Sequence, residues 1–375
     1  MALSLFKLLP LSLVAGALLA GPVLAEDVAP GLLPGIHKHV LQTSTVPDNG
    51  DQNPYALIIA PVSAGPIQQG DVLYDNFNNA ANLQGTGTTI VDFNPTSKKL
   101  TTIANLSHEL PGCPGGVGLS TAMTMLKSGW IIVGSTPSND GTTRTKGAGC
   151  LIVLNPQGKV AKVLADANIN DPWGNMAVKD DGDKATLYVS MAGFGVGSPD
   201  GEPPVFNQST ILRINLDIPE GKVPEVTSET VVAGGFGEQA DKSVFLVGPT
   251  GLALGEGDKL YASDALGNRI SEIRDASTRT TSAGVGRTVT KDGLLSRPLA
   301  MVMTAEGHLL VTNGLNGKVV EVDPVSGKQL YAQWIDADKA QVPPGNGDLF
   351  GIVMHPNGKS FYYVEDDVNT IVLAQ

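Results

Sequence analysis

The 375 residues carry 37 acidic against 25 basic side chains, and the net charge of −12 excludes a nucleic-acid surface, whose phosphates require a basic partner. With 45 glycines and 25 prolines beside only 17% charged residues, the composition excludes a bundle of helices with charged outer faces and fits many short strands joined by tight turns. The chain opens with MALSLFKLLPLSLVAGALLAGPVLAED: one lysine, an apolar run, then Val23-Leu24-Ala25 before Glu26 and Asp27, the pattern of a secretory signal cut after Ala25. The alternative, an uncleaved anchor, needs a longer run than one broken by Pro10 and by Gly21-Pro22. Removal of residues 1–25 takes away Lys7 and moves the charge from −12 to −13. The expected location is the periplasm or the extracellular space, with no transmembrane segment after cleavage, and residues 26–375 are read as one domain.

Residues 37–46, HKHVLQTSTV, form a lone apolar-polar strand pattern. After them a unit of about 50 residues recurs six times, starting near positions 53, 117, 172, 249, 298 and 349. The first unit reads NPYALIIAP, DVLYDNFN, TTIVDFNP and LTTIANL, and the second GLSTAMTML, WIIVGSTP, CLIVLNP and VAKVLAD. The third contains DPWGNMAVK, TLYVSMAG and TILRINL, and the fourth GPTGLALG, YASDALGNRISEI and TSAGVGRTVT. The fifth joins RPLAMVMT to HLLVTNGLNGKVVEVDPVSGKQLYAQW, and the sixth joins DLFGIVMH to SFYYVEDDVNTIVLA. Four short antiparallel strands per unit, repeated six times, predict an all-β fold, a six-bladed β-propeller of four-stranded blades. The sixth unit lacks a fourth strand, so residues 37–46 are expected to complete it as the outer strand and close the ring.

The segments YASDALGNRISEI and LLVTNGLNGKVVEVDPVSGK resemble NHL and YVTN repeats of six-bladed propellers, and NFNNAANLQGTGTTIV resembles exported bacterial proteins of the NHL-repeat class. The resemblance covers residues 26–375 and is sharpest in blades 1, 4 and 5. It implies the fold and an exported location. Enzymes, ligand binders and scaffolds share this architecture, so function has to be argued from a site.

Cys113 and Cys150 are the two cysteines, and in an exported chain a disulfide within blade 2 is the expectation. Aligned on their second strands, the units bring Asn76, Ser135, Met191, Asp264, Asn313 and Glu365 into one register. Aligned on the small residues of the innermost strands (Ala56, Thr121, Gly174, Gly251, Ala300 and Gly351), the preceding residues are Tyr55, Ser120, Trp173, Thr250, Leu299 and Phe350. In a propeller the second strand ends on the face where the inner strand begins, so both rings surround one mouth of the central channel. Two readings stay open. Asp and Asn at these ends cap tight turns through their own backbone while the aromatics plug the channel. Alternatively, Tyr55, Trp173 and Phe350 line a pocket in which Asn76, Asn175, Asp264, Asn313 and Glu365 bind the polar edges of a ligand.

The connections after the second strands of blades 1 to 3 are long and polar, NFNNAANLQGTG, TPSNDGTTRTKGAG and AGFGVGSPDGEPPVFNQ, and two readings stay open for them: a polar wall over one side of the same mouth, or mobile surface decoration. Other signatures are weak. The five histidines, His37, His39, His108, His308 and His355, show no HExxH spacing, GGFGEQ and GVGRT are lone glycine clusters, and no GxSxG elbow occurs. In gluconolactonase and senescence-marker propellers a divalent metal is held by Glu, Asn and Asp at the starts of inner strands; the matching positions here are mostly aromatic, aliphatic or hydroxyl, with Asp171 and Asn175 nearby. The leading expectation is therefore a monomeric exported propeller that binds a small polar ligand or a protein partner at the decorated mouth, without covalent catalysis or cofactor. The alternative is a divalent-metal-assisted hydrolase, lactonase or lyase with calcium on Asp264 and Asn313. A third reading is a cell-envelope interaction scaffold.

Overall fold

The computed structural model describes residues 1, 30–197, 204–336 and 338–375, so the expected signal segment and its cut after Ala25 lie outside the described residues. Six antiparallel sheets surround one axis as the blades of a propeller. Blade 1 runs outward from Gln52–Ile59 through Val72–Asn78 and Thr89–Asn94 to Lys99–Asn105. Blade 2 follows with Leu119–Met125, Ile131–Ser135, Cys150–Leu154 and Val160–Leu164. Blade 4 comprises Pro249–Gly255, Lys259–Asp264, Arg269–Arg274 and Arg287–Lys291, and blade 5 Pro298–Met303, Leu309–Asn313, Lys318–Val322 and Gln329–Trp334.

Burial explains the order of strands within a blade. The second strand of blade 1, VLYDNFN, is buried along its whole length, because it is sandwiched between neighbouring blades on both faces; the outer strand KLTTIAN is exposed at most positions. At the axis the inner strands crowd one another. A Cβ added at Gly174 or Gly251 would overlap the carbonyl oxygen of Thr250 or Leu299 in the next blade, and one at Gly351 would lie 2.6 Å from Tyr55 O. The small residues of the inner ring thus answer a close approach of backbones.

Blade 6 closes the ring as expected. His39–Ser44 pairs antiparallel with Thr370–Ala374 (Val40 opposite Leu373), followed inward by Phe361–Glu365 and Leu349–Met354. The amides of His37 and Lys38 both donate to Gln375 O, at 2.9 and 2.8 Å. The Cys113–Cys150 disulfide is formed, spanning 37 residues and tying the loop before blade 2 to its third strand, with both cysteines buried.

Blade 3 departs from the four-stranded expectation. It holds Ala177–Asp180, Lys184–Met191, Phe206–Asp217, the 17-residue Glu225–Asp241 and a fifth strand, Phe245–Val247. The GGFGEQ cluster lies inside the long fourth strand, which continues past the blade edge. It reverses at Asp241, whose Oδ1 accepts from the Ser243 amide and hydroxyl at 2.8 and 2.6 Å. Among the described residues no helix is long and apolar enough to cross a membrane.

Candidate functional site

Strand register places both rings on one face. Each second-strand residue of the expected ring pairs with the residue two before the small inner-ring residue: Asn76 with Pro54, Ser135 with Leu119, Met191 with Pro172, Asp264 with Pro249, Asn313 with Pro298 and Glu365 with Leu349. Every inner strand then shifts register by a bulge or starts anew, which turns the following side chain toward the axis.

That turn brings the aromatics together on one another. Tyr55 stacks on Phe350 (centroids 4.0 Å apart) and on Phe77 (4.6 Å), while Trp173 meets Tyr55 and Phe77 edge-on at 5.7 and 5.5 Å. Phe245, delivered by the fifth strand of blade 3, completes the cluster against Phe77 and Trp173. All five are at most 1% exposed, so they fill this mouth as a plug and leave no open aromatic pocket. Phe77 and Phe245 were not apparent in the sequence pattern.

The polar members of the ring are engaged locally. Asp264 Oδ1 accepts from Gly267 N at 2.9 Å and Oδ2 from Arg269 Nε at 2.8 Å, which makes it the cap of its own hairpin. Asn313 Oδ1 accepts from Ser296 N at 3.0 Å, and its Nδ2 donates to Leu294 O and Asn316 Oδ1. The oxygens expected to hold a metal on these two residues are therefore directed at turn amides and Arg269. Asn76 donates to Thr45 O, tying the closing segment to blade 1, and its Oδ1 is buried without a donor. Asn175 bridges inner strands: its Nδ2 donates to Leu252 O and Met301 O, and its Oδ1 accepts from Met301 N at 3.1 Å. Glu365 Oε2 accepts from Thr370 Oγ1 at 3.0 Å, and burial raises its carboxyl to about 7.

Charge collects beside this ring in two places. In blade 3 Asp171, fully buried, forms an ion pair with Lys146 from the long blade-2 loop at 2.9 Å. Burial lifts its carboxyl to about 7 against the opposing pull of Lys146, and Glu238 adds to the rise. In blade 6 Asp348 occupies the corresponding position, three residues before the small residue of the inner strand, and around it lie Asp336 and Asp367, with Asp366 N donating to Asp348 O at 3.0 Å. Burial, then the neighbouring Asp336 and Asp367, raise Asp348 to about 8. None of the ion pairs among the described residues involves Asp336, Asp348, Glu365, Asp366 or Asp367. The Asp171–Asp348 correspondence was legible in DPWG and DLFG; Asp336, in the irregular blade 5–6 connection, carried no repeat signal. A groove of about 990 Å³ opens on the opposite face between blades 4 and 5, lined by Tyr261, Met303, His308 and Val325 among others.

No protein-family model matches this chain, and no curated protein matches it. Solved structures do. A gluconolactonase from Xanthomonas campestris superposes with a TM-score of 0.53 at 11% identity, over 90% of this chain and 88% of that one. A luciferin-regenerating enzyme gives 0.53 at 13% identity, over 90% and 94%. The calcium-binding protein regucalcin from Agrobacterium tumefaciens gives 0.51 at 12% identity, over 90% and 93%. At such identities the likeness is one of fold, and that fold is the six-bladed propeller.

Proposed function

We propose that this chain is an exported, divalent-metal-assisted hydrolase or lyase of small polar substrates, working on the loop-decorated face at the boundary of blades 5 and 6. The observation that carries the reading is the gathering of Asp336, Asp348, Asp366 and Asp367, all but the last buried, with no basic side chain paired to them among the described residues. Uncompensated buried carboxylates are costly and collect at functional sites. Their hard oxygen donors suit a divalent cation, which supplies Lewis acidity toward a substrate oxygen. The propeller fold shared with a gluconolactonase and regucalcin supports the same class, by analogy of architecture. The closed aromatic plug sets the floor and leaves the decorated surface as the place for substrate.

The test is turnover by the mature chain of lactones and esters, with EDTA and with calcium restored. Expected is hydrolysis lost on chelation and regained on addition of the ion, with kcat/KM of Asp348→Asn reduced on the order of 100-fold. Absence of turnover across such a panel returns the protein to the ligand-binding reading, in which the same face holds a small polar molecule or a partner without chemistry. Export is checked separately: the mature protein is expected to begin at Glu26 in N-terminal sequencing of periplasmic or secreted material.

A further inference from the structure

We propose that Asp336, Asp348 and Asp367, together with the side-chain carbonyl of Gln341, form a calcium-class cation site in the seam between blades 5 and 6; in giving the cation of the hydrolytic reading a place, the proposal rests on that reading. Three separate chain segments meet here. Asp336 follows the outer strand of blade 5, Asp348 immediately precedes the inner strand of blade 6, and Asp367 lies in the hairpin between the second and third strands of blade 6. One oxygen from each carboxylate lies within 4.8 Å of the other two. Carboxylates gathered this closely can share one cation, and an all-oxygen donor set is the kind that calcium accepts.

Acidic residues cluster on many surfaces without binding anything, and two further observations separate this group from those. Asp348 is only 3% exposed, and its Oδ2 is buried with no donor; its Oδ1 accepts from Gln341 Nε2 at 2.7 Å. Gln341 is held against Asp348 by that bond, and its own Oε1 is likewise buried with no donor. A carboxylate oxygen and an amide oxygen on two residues joined by one hydrogen bond thus both lack a donor, and a cation is a partner that either acceptor can take. Asp336 is 8% exposed and directs Oδ1 to the Asp338 amide at 2.9 Å, which fixes its orientation.

The propeller supplies its own control. Asp171 holds the same place in blade 3 that Asp348 holds in blade 6, and there the fold meets the buried charge with Lys146 at 2.9 Å. In blade 6 the neighbours are carboxylates. A proton shared between Asp348 and Asp336 would lower the repulsion and occupy Asp348 Oδ2, yet leave Gln341 Oε1 without a partner. A divalent ion answers both, and exposed Asp367 leaves one side open for exchange and for further ligands.

The experiment is equilibrium titration of the EDTA-stripped mature chain with calcium chloride alone, followed by calorimetry and by the shift in melting temperature. One saturable site is expected, weakened at least 100-fold in Asp348→Asn and Asp336→Asn and about tenfold in Gln341→Ala, with Asp264→Asn binding as wild type. Circular dichroism of each variant without calcium checks folding, and the near-isosteric Asn replacements keep shape while removing charge. The proposal fails if the wild-type chain shows no saturable calcium binding at millimolar concentration, or if Asp348→Asn binds as tightly as wild type. Calcium binding without turnover upholds the site and sinks the hydrolytic reading; chelator-resistant turnover by a chain that binds no calcium sinks the site.

Discussion

Asp75 shows how one position of a repeat can be filled by two chemistries. In blades 3, 4 and 5 the residue before the ring position is Ser190, Ser263 or Thr312, whose hydroxyl donates to a carbonyl of the next inner strand: Thr250 O, Leu299 O or Phe350 O. Ser190 and Ser263 also accept from the amides of Gly174 and Gly251 in their own blades. Asp75 reproduces the accepting half, taking Ala56 N at 3.0 Å, but its Oδ2 is buried with no donor. A proton on that oxygen restores the donating half, and burial accordingly lifts the carboxyl from 3.8 to about 8. The folded state then binds more protons than the unfolded chain between those values. The contribution to stability is full below pH about 4 and is lost as pH rises through about 8. Asp75→Ser is therefore expected to melt close to wild type at pH 4 and above it at pH 8, a difference followed by calorimetry across that range. Asp264→Ala is expected to lose about 1 to 2 kcal/mol in denaturant titration, from the lost turn cap and its contact with Arg269, and to leave calcium binding unchanged. Here lies the limit of reading the sequence: the ring register was legible from repeats, but a turn-capping Asp and a ligand-binding Asp look the same until the donors around Asp264 are seen. Asp348 was the reverse case, an unremarked residue in DLFG whose lack of a counter-ion only three-dimensional neighbours reveal.

At the scale of elements, the strands were legible because each blade repeats the same succession of buried and half-buried strands, and the closing strand was legible because the sixth unit came up one strand short. Deletion of residues 37–46 uncovers the edge of Thr370–Ala374, and the truncated chain is expected to aggregate, as followed by light scattering; a monomer with unchanged melting refutes that closure. The disulfide contributes at the same scale. Closing 37 residues of chain gives about 3 to 4 kcal/mol on the chain-entropy account, so the double Cys113→Ser, Cys150→Ala variant is expected to lose about that much in a denaturant midpoint measurement. The fifth strand of blade 3 escaped notice for a physical reason. Phe245–Val247 has only three residues, too few to show a period, and the strand before it is interrupted by glycines that read as a loop. With it Phe245 escaped too, and so did the way the axis is sealed.

Across the whole molecule, function and fold divide the two faces unevenly. The decorated face carries the plug, the Lys146–Asp171 pair and the blade 5–6 carboxylates, while the opposite face holds the open groove between blades 4 and 5. The pairing of Val40 with Leu373 has a further consequence, in time instead of space. Synthesis delivers a chain from its N-terminus, so the strand that seals the ring emerges before the six inner strands and its partner after them. No amount of early folding in blades 1 to 5 can complete the circle, because the final register depends on contacts between opposite ends of the chain, and such long-range pairing is slow. Until Thr370–Ala374 is made the nascent protein stays an open arc with loose ends, and it is committed to its final shape only when that strand meets His39–Ser44.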